Sequence, residues 1–272
     1  MNTLCAAIQM ASGPNINANL LEAERLITDA AKSGAKLVAL PENFAFMGEH
    51  EQDKLAHKET EGKGTIQSFL KKIAKKQKVW IVAGTIPLTD PDNKNKVIAA
   101  CLIYNDTGKQ VARYDKIHLF DVHIPESNES YLESNSITKG EQPLVIDSPF
   151  GKLGIAICYD LRFPELFRLM QAQGAEIFII PAAFTAKTGE AHWKVLLRAR
   201  AIENLCYVIA PNQGGFHVNK RQTYGRSMII DPWGTVLAKH KNNAGFAIAK
   251  LNIKHLKKLR KAFPVLEHRQ IH

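Results

Sequence analysis

The sequence lacks most of what would tie it to a membrane or a metal. It has no run of about eighteen apolar residues, so no membrane-spanning helix is expected. The apolar start MNTLCAAIQMASG has no basic flank ahead of it and reads as a first strand, not as a signal peptide. Only four cysteines occur: Cys5, Cys101, Cys158 and Cys206. None stands in a CxxC pair, and no Cys/His cluster has zinc spacing, so no metal is expected. Cys5, Cys101 and Cys206 lie in or beside apolar, strand-like runs and read as reduced core thiols of a cytoplasmic protein. No Ser/Gly/Pro-rich linker divides the chain. Its 272 residues, 45% hydrophobic, are expected to form one domain, 1–272, with a sizeable core.

What is in excess is positive charge, formally +10. That raises nucleic-acid binding as a possibility. The lysines are spread along the chain, however. The densest basic segment, KHLKKLRKAF (254–263), carries Leu256, Leu259 and Phe263 at helical spacing, the pattern of a surface helix with a solvated basic face. No base-reading motif or basic/aromatic alternation accompanies it. The expected partner is a small anionic molecule, with neither nucleic acid nor membrane.

An internal repeat organises the chain. GAKLVALPENF (34–44) and GAEIFIIPAAF (174–184) share Gly, Ala, Pro and Phe in register. Each follows a helical pattern, near 19–32 and 164–173, and before that a strand, LCAAIQM (4–10) or LGIAICY (153–159). Downstream come further strands, VWIVAGTIP (79–87) and CYVIAPNQG (206–214), and two hairpins with Asp-Thr-Gly and Pro-Trp-Gly turns. The remaining helices are expected near 64–78 and 191–204. Strands this apolar need cover on both faces. Two sheets packed together with helices outside give a four-layer α-β-β-α sandwich with a pseudo-twofold repeat.

The repeat also exposes two residues that scaffolding does not require. Aligned on residue type, Cys158 stands opposite Gln9, and Glu42 stands opposite Ala182. Both lie at the carboxyl ends of strands, where α/β sheets place their ligands. Cys158, in GIAICYDLRFPE, is either a nucleophile aimed out of the core or a small apolar filler. Among ten histidines, His118 in DKIHLF is the nearest candidate base. Glu42 in ALPENF is the other, with a pKa that desolvation would raise toward a base's working range; otherwise it is a turn cap. Lys116 suits a developing oxyanion and a thiolate. A second carboxylate from Glu126, Glu129 or Glu133 should lie in the polar stretch PESNESYLESNSITKG, read as a loop over the site.

LPENF, DKIHLFD and CYDLRFPE, in that order, resemble the carbon–nitrogen hydrolase (nitrilase) superfamily over essentially the whole chain. TGEAHWKVLLRARAIENLCYV, YGRSMIIDPWGTVLAK and FPVLEHR narrow the likeness to its Nit branch. The resemblance implies an amidase with Glu42 as general base, Lys116 as stabiliser of the tetrahedral intermediate, Cys158 as nucleophile and Glu133 as second glutamate. It implies that Tyr159 offers its backbone N–H to the oxyanion, and that His118 is structural. Arg162 would meet the α-keto acid end of the substrate, with Phe184 and Thr188 lining the pocket. The alternatives for these three are a pairing of Arg162 with Asp160 or Glu165, a core Phe184, and a helix-capping Thr188. HLFDVHIPE, ESNS and RARAIE look most like the members that act on deaminated glutathione, and less like the ω-amidases that act on α-ketoglutaramate. Lys187, Lys220 and Arg221 are open candidates for the far end of the longer substrate. No cofactor and a homodimer are implied. A reading from another class is a metabolite- or partner-binding protein on the same scaffold; the complete Glu-Lys-Cys set argues against it.

Overall fold

The computed structural model describes residues 2–124, 129–218 and 220–270. In the first half, β1 (Asn2–Met10), α1 (Ile16–Lys32), β2 (Leu37–Ala39), α2 (Thr65–Gln77) and β3 (Trp80–Val82) lead into the hairpin β4 (Val97–Tyr104) and β5 (Gln110–Asp115). The second half opens on β6 (Leu144–Ile146) and runs β7 (Leu153–Ile155), α3 (Pro164–Ala172), β8 (Ile177–Ile179), α4 (Lys194–Asn204), β9 (Tyr207–Ala210), β10 (Met228–Ile230) and β11 (Val236–Lys239). β12 (Gly245–Asn252) and α5 (Ile253–Ala262) follow.

Within the first, ten-stranded sheet the run β12-β1-β2-β3-β4-β5 matches the whole of the second, β6-β7-β8-β9-β10-β11. In each, the pairings run antiparallel, parallel, parallel, antiparallel, antiparallel. Even the hairpins repeat. Both ladders shift register at their turn, beside Tyr104 and Ile230, and each turn has a glycine at positive φ, Gly108 (80°) and Gly234 (83°). The two halves are tied by β12, which returns to pair with β1 from Asn2 to Gln9.

Strand alternation sorts side chains into layers. Cys5, Ala7, Leu37 and Ala39 join the cluster that holds the second sheet, while Ala6, Ile8, Val38 and Leu40 pack with α1 and α2. α1 buries Leu20, Ala23, Leu26, Ile27 and Ala30, one face at helical spacing. Its N-cap Asn15 accepts from the Ala18 N–H at 3.1 Å. These layers make the α-β-β-α sandwich.

The repeat register differs by one residue from the match of residue types. Cys5 pairs with Leu37 as Leu153 pairs with Ile177, and the N–H groups of Lys36 and Glu176 donate to Leu4 and Lys152, each at 2.9 Å. Cys158 therefore corresponds to Met10, not Gln9. A strand buried on both faces reads as apolar in either register, so pattern alone does not fix it.

Other differences are local. The strand expected over 153–159 pairs only through Ile155, and Cys158 opens a tight 3₁₀ turn, Cys158–Arg162. The helix expected from 191 begins at Lys194, behind a π turn over Gly189–Trp193. The stretch read as a loop carries a strand, Glu129–Leu132, paired with Asp121–Ile124 just before it, and the turn Glu133–Asn135.

Candidate active site

Three segments converge at the carboxyl ends of the central strands. Glu42 follows β2 past Leu40, whose N–H still donates to Val82 at 2.9 Å. The next residue, Asn43, has φ 57° and turns the chain back, and its N–H is held by the Thr85 hydroxyl at 2.9 Å. Gly84 makes that turn possible: a Cβ there would sit 1.9 Å from the Pro41 carbonyl oxygen. Lys116 follows β5 and is fixed on both sides, its N–H to Ala99 (3.1 Å) and its carbonyl from the Gly140 N–H (2.7 Å). Cys158 adopts φ 48°, a left-handed conformation that an L-residue holds only when its surroundings impose it.

The surroundings that impose it centre on Asp160, which is fully buried. Its carboxylate accepts from the Ile157 N–H (2.8 Å), the His118 N–H (2.9 Å) and the Tyr114 hydroxyl (2.7 Å). The His118 ring nitrogen Nδ1 lies 2.7 Å away, and the ring stacks on Phe163 with centroids 3.7 Å apart. His118 is thus committed to the turn after the cysteine. The Glu42 carboxylate, not this imidazole, is the group that acts on the Cys158 thiol.

Lys116 joins the carboxylates. Its Nζ lies 2.8 Å from Glu42 Oε1 and 2.8 Å from both oxygens of Glu133. Glu133 also accepts from the Phe120 N–H at 2.7 Å. Glu126 lies outside the described residues, as does the side chain of Glu129; among the rest of that stretch, Glu133 is the carboxylate that reaches the lysine.

The electrostatics correct two expectations. Burial by itself would raise the Glu42 carboxyl, but the adjoining Lys116 ammonium more than offsets it, and the pKa falls below the ordinary carboxylate value. For Cys158, burial and then the Glu42 charge outweigh Lys116 and a hydrogen bond from the Ala183 N–H, so the thiol is pushed well above its usual value. Lys116, despite burial, is raised well above its ordinary value by Glu133 and Glu42. The resting set is carboxylate, ammonium and neutral thiol. Lys116 holds the Glu42 carboxylate charged; it does not hold a thiolate.

The cleft around this set is also lined by Tyr159, Arg162, Phe184 and Thr188. The Arg162 guanidinium lies 5.5 Å from the Phe184 ring centroid and 5.8 Å from that of Tyr159, with Nδ1 of His192 at 3.3 Å. It pairs with neither Asp160 nor Glu165. Thr188 caps no helix: it sits inside the short helical turn Ala186–Thr188, its hydroxyl 2.8 Å from that of Thr185. Among the described residues, no group of three His, Cys, Asp or Glu is arranged to hold a metal.

Residues not singled out beforehand support the site from far along the chain. The buried amide of Gln213 donates to the Glu42 carbonyl (3.0 Å) and to the Ser12 hydroxyl (2.8 Å). Asn212 accepts from the Phe184 N–H at 3.1 Å, beside Ala183. Lys54 is buried and ion-paired to Glu51 at 2.6 Å on the cleft wall. For Asn212 and Gln213 the only sequence signal was a polar pair closing an otherwise apolar run; Lys54 had none.

A four-layer sandwich with a buried carboxylate, ammonium and thiol at its sheet ends puts the chain among the nitrilase-like hydrolases. It belongs to the carbon–nitrogen hydrolase family, which residues 4–261 match. The chain is 47% identical to a deaminated glutathione amidase of Synechocystis sp., covering 98% of this chain and 97% of that one. It is 39% identical to the Homo sapiens deaminated glutathione amidase, over 98% and 82%. The crystal structure of Saccharomyces cerevisiae Nit3, a member of branch 10 of the nitrilase superfamily, superimposes with a TM-score of 0.88 at 32% identity, over 99% and 97%.

Proposed function

We propose that this chain is an amidase that hydrolyses deaminated glutathione to α-ketoglutarate and cysteinylglycine. The observation that carries the reading is the buried constellation of Glu42, Lys116, Glu133 and Cys158, intact and preorganised around one cleft. Relatives bearing that activity in their names, at 39–47% identity, support the substrate.

The protonation states set the order of events. Glu42, ionised, takes the thiol proton as Sγ of Cys158 bonds to the amide carbonyl carbon. The carbonyl π electrons move to oxygen, where the Lys116 charge and the Tyr159 N–H stabilise them. The C–N bond then breaks, its electron pair leaves with the amine, and Glu42 returns the proton to that nitrogen. Water attacks the thioester with Glu42 again as base. The C–S bond breaks, Glu42 returns the proton to Cys158 Sγ, and the acid is released. Glu133 holds Lys116 in place throughout. Arg162 meets the α-keto acid carboxylate, with Phe184 and Thr188 as walls.

A homodimer belongs to the same reading. Exposed apolar side chains on the second half, Leu169 on α3 with Val195 and Ile202 on α4, support it. Light scattering at working concentration checks it: a dimer mass is expected, and a monomer mass rejects it. Four unpaired thiols fit the cytoplasm. No helix among the described residues is long and apolar enough to cross a membrane.

The test is α-ketoglutarate release from deaminated glutathione and from α-ketoglutaramate by wild type and Cys158→Ala. Higher kcat/KM on deaminated glutathione and an inert variant are expected. Preference for α-ketoglutaramate makes the chain an ω-amidase, and activity surviving in the variant removes the nucleophile. Equal background from both proteins on both substrates favours a binding role instead.

A further inference from the structure

The cleft around Cys158 does not end at Lys54. A second cavity of about 290 Å³ opens beyond it, against about 30 Å³ of free room in the cleft itself. The two share Asn43, Glu51, Lys54, Tyr131 and Arg221. The far walls of the second cavity come from Met47 to Gln52 and from Ser130, Leu132 and Asn135, none of which has a catalytic assignment. This chamber, half open to solvent, is the roomier of the two spaces.

The cations divide the same way. Arg162 lines the cleft and not the chamber, whereas Arg221 lines both. Arg221 is built in: Nη2 donates to the Ala183 carbonyl at 2.8 Å, and the guanidinium lies 5.0 Å from the Tyr131 ring centroid. Glu51 at the shared wall pairs with Lys54 at 2.6 Å and also feels the Arg221 charge, and Glu49 is a second carboxylate on the chamber wall. Neither Lys187 nor Lys220 lines either space, which separates Arg221 from the other two candidates for the far end of the substrate.

We infer that the chamber is the leaving-group site, taking the dipeptide portion of an N-acyl dipeptide amide, with Arg221 facing its terminal carboxylate. The inference rests on the deaminated-glutathione reading and adds to it the part of the protein that selects a long substrate over a short one. Deaminated glutathione has a carboxylate at each end, and the scissile amide lies between them. α-Ketoglutaramate has the acyl end only and leaves the chamber unused. With Arg162 at the acyl end, the thioester on Cys158 is the same from either substrate. Discrimination then falls entirely on the steps before the amine departs.

The two substrates provide the control. Ser130→Trp and Gln52→Trp each fill the chamber from a wall that the cleft does not share. Each is expected to lower kcat/KM for deaminated glutathione by about tenfold or more and to change it for α-ketoglutaramate by less than about twofold. Arg221→Gln is compared on deaminated glutathione and its C-terminal amide. Wild type is expected to prefer the carboxylate, and the variant to lose that preference. A merely structural role for Arg221 would lower both rates by one factor and keep the preference. Equal losses on both substrates, no loss from either tryptophan, or a preference that survives in Arg221→Gln overturns the chamber assignment. A wild type without activity on deaminated glutathione overturns the functional reading itself, and the chamber assignment with it.

Discussion

Both carboxylate oxygens of Glu133 lie 2.8 Å from the Lys116 ammonium, deep enough that neither side chain has appreciable solvent contact. An ammonium offers three N–H donors, and Glu42 takes a place beside the same nitrogen at 2.8 Å. The lysine is thereby fixed before any substrate arrives. Burial, and after it the Glu42 charge, explain why the neighbouring thiol keeps its proton.

Replacing Glu133 with Gln removes its charge and puts an NH₂ against an ammonium. Lys116 then shifts toward Glu42 and away from the oxyanion. kcat is expected to fall about 100-fold with little change in KM, as for loss of a preorganised electrostatic group. Steady-state kinetics on deaminated glutathione decide it; a loss below about threefold would leave Glu133 a packing residue.

The pH profile follows from Glu42. Its folded pKa lies below the ordinary 4.5, so the base stays ionised from neutral pH down to that value and is lost only as pH falls further. kcat/KM is therefore expected to stay level across that range and to drop below it. An acid limb centred above 4.5 would mean that the carboxyl behaves as burial alone dictates, without the lysine.

Glu51 makes a separate prediction about stability. Lys54 beside it, against the opposing effect of burial, lowers its carboxyl to about 2. In the unfolded chain the group titrates near 4.3. A depressed folded pKa stabilises the fold above the unfolded value, and that contribution is lost as pH falls from about 4.3 toward about 2. Glu51→Gln should flatten the dependence of the urea midpoint on pH in that window. An unchanged slope would show that the pair contributes nothing to it.

How much of this was readable beforehand divides along sequence distance. The sandwich was legible because two copies of strand, helix and hairpin each show their own periodicity. Glu42 and Cys158 stood out at the ends of apolar runs, whereas Lys116 was marked only by the resemblance that DKIHLFD carries. Gln213 did not stand out, because its meaning lies in a hydrogen bond to a carbonyl 171 positions earlier. Asp160 looked like one more charge in a turn, since the Tyr114 hydroxyl that shows it to be buried comes from the other sheet. The direction of the Glu42 shift was misjudged for the same reason. Desolvation can be guessed from neighbours in sequence, but the ammonium that reverses it is 74 residues away.

Asp160 offers the sharpest separation of stability from catalysis. Tyr114→Phe removes one donor to its carboxylate and leaves the turn N–H groups in place. That should cost about 1 kcal/mol of unfolding free energy with kcat nearly unchanged. Asp160→Asn keeps the volume but turns one acceptor into a donor, which then faces either the Ile157 or the His118 N–H. The expected loss is about 1–3 kcal/mol of stability. A fall in kcat should accompany it, because the left-handed turn at Cys158 is no longer held. Chemical denaturation and kinetics on the same preparations read both. If Asp160→Asn lost stability and kept full kcat, the turn would hold its shape without the carboxylate, and the aim of Cys158 would have to come from the Pro181 carbonyl that accepts its N–H at 2.8 Å.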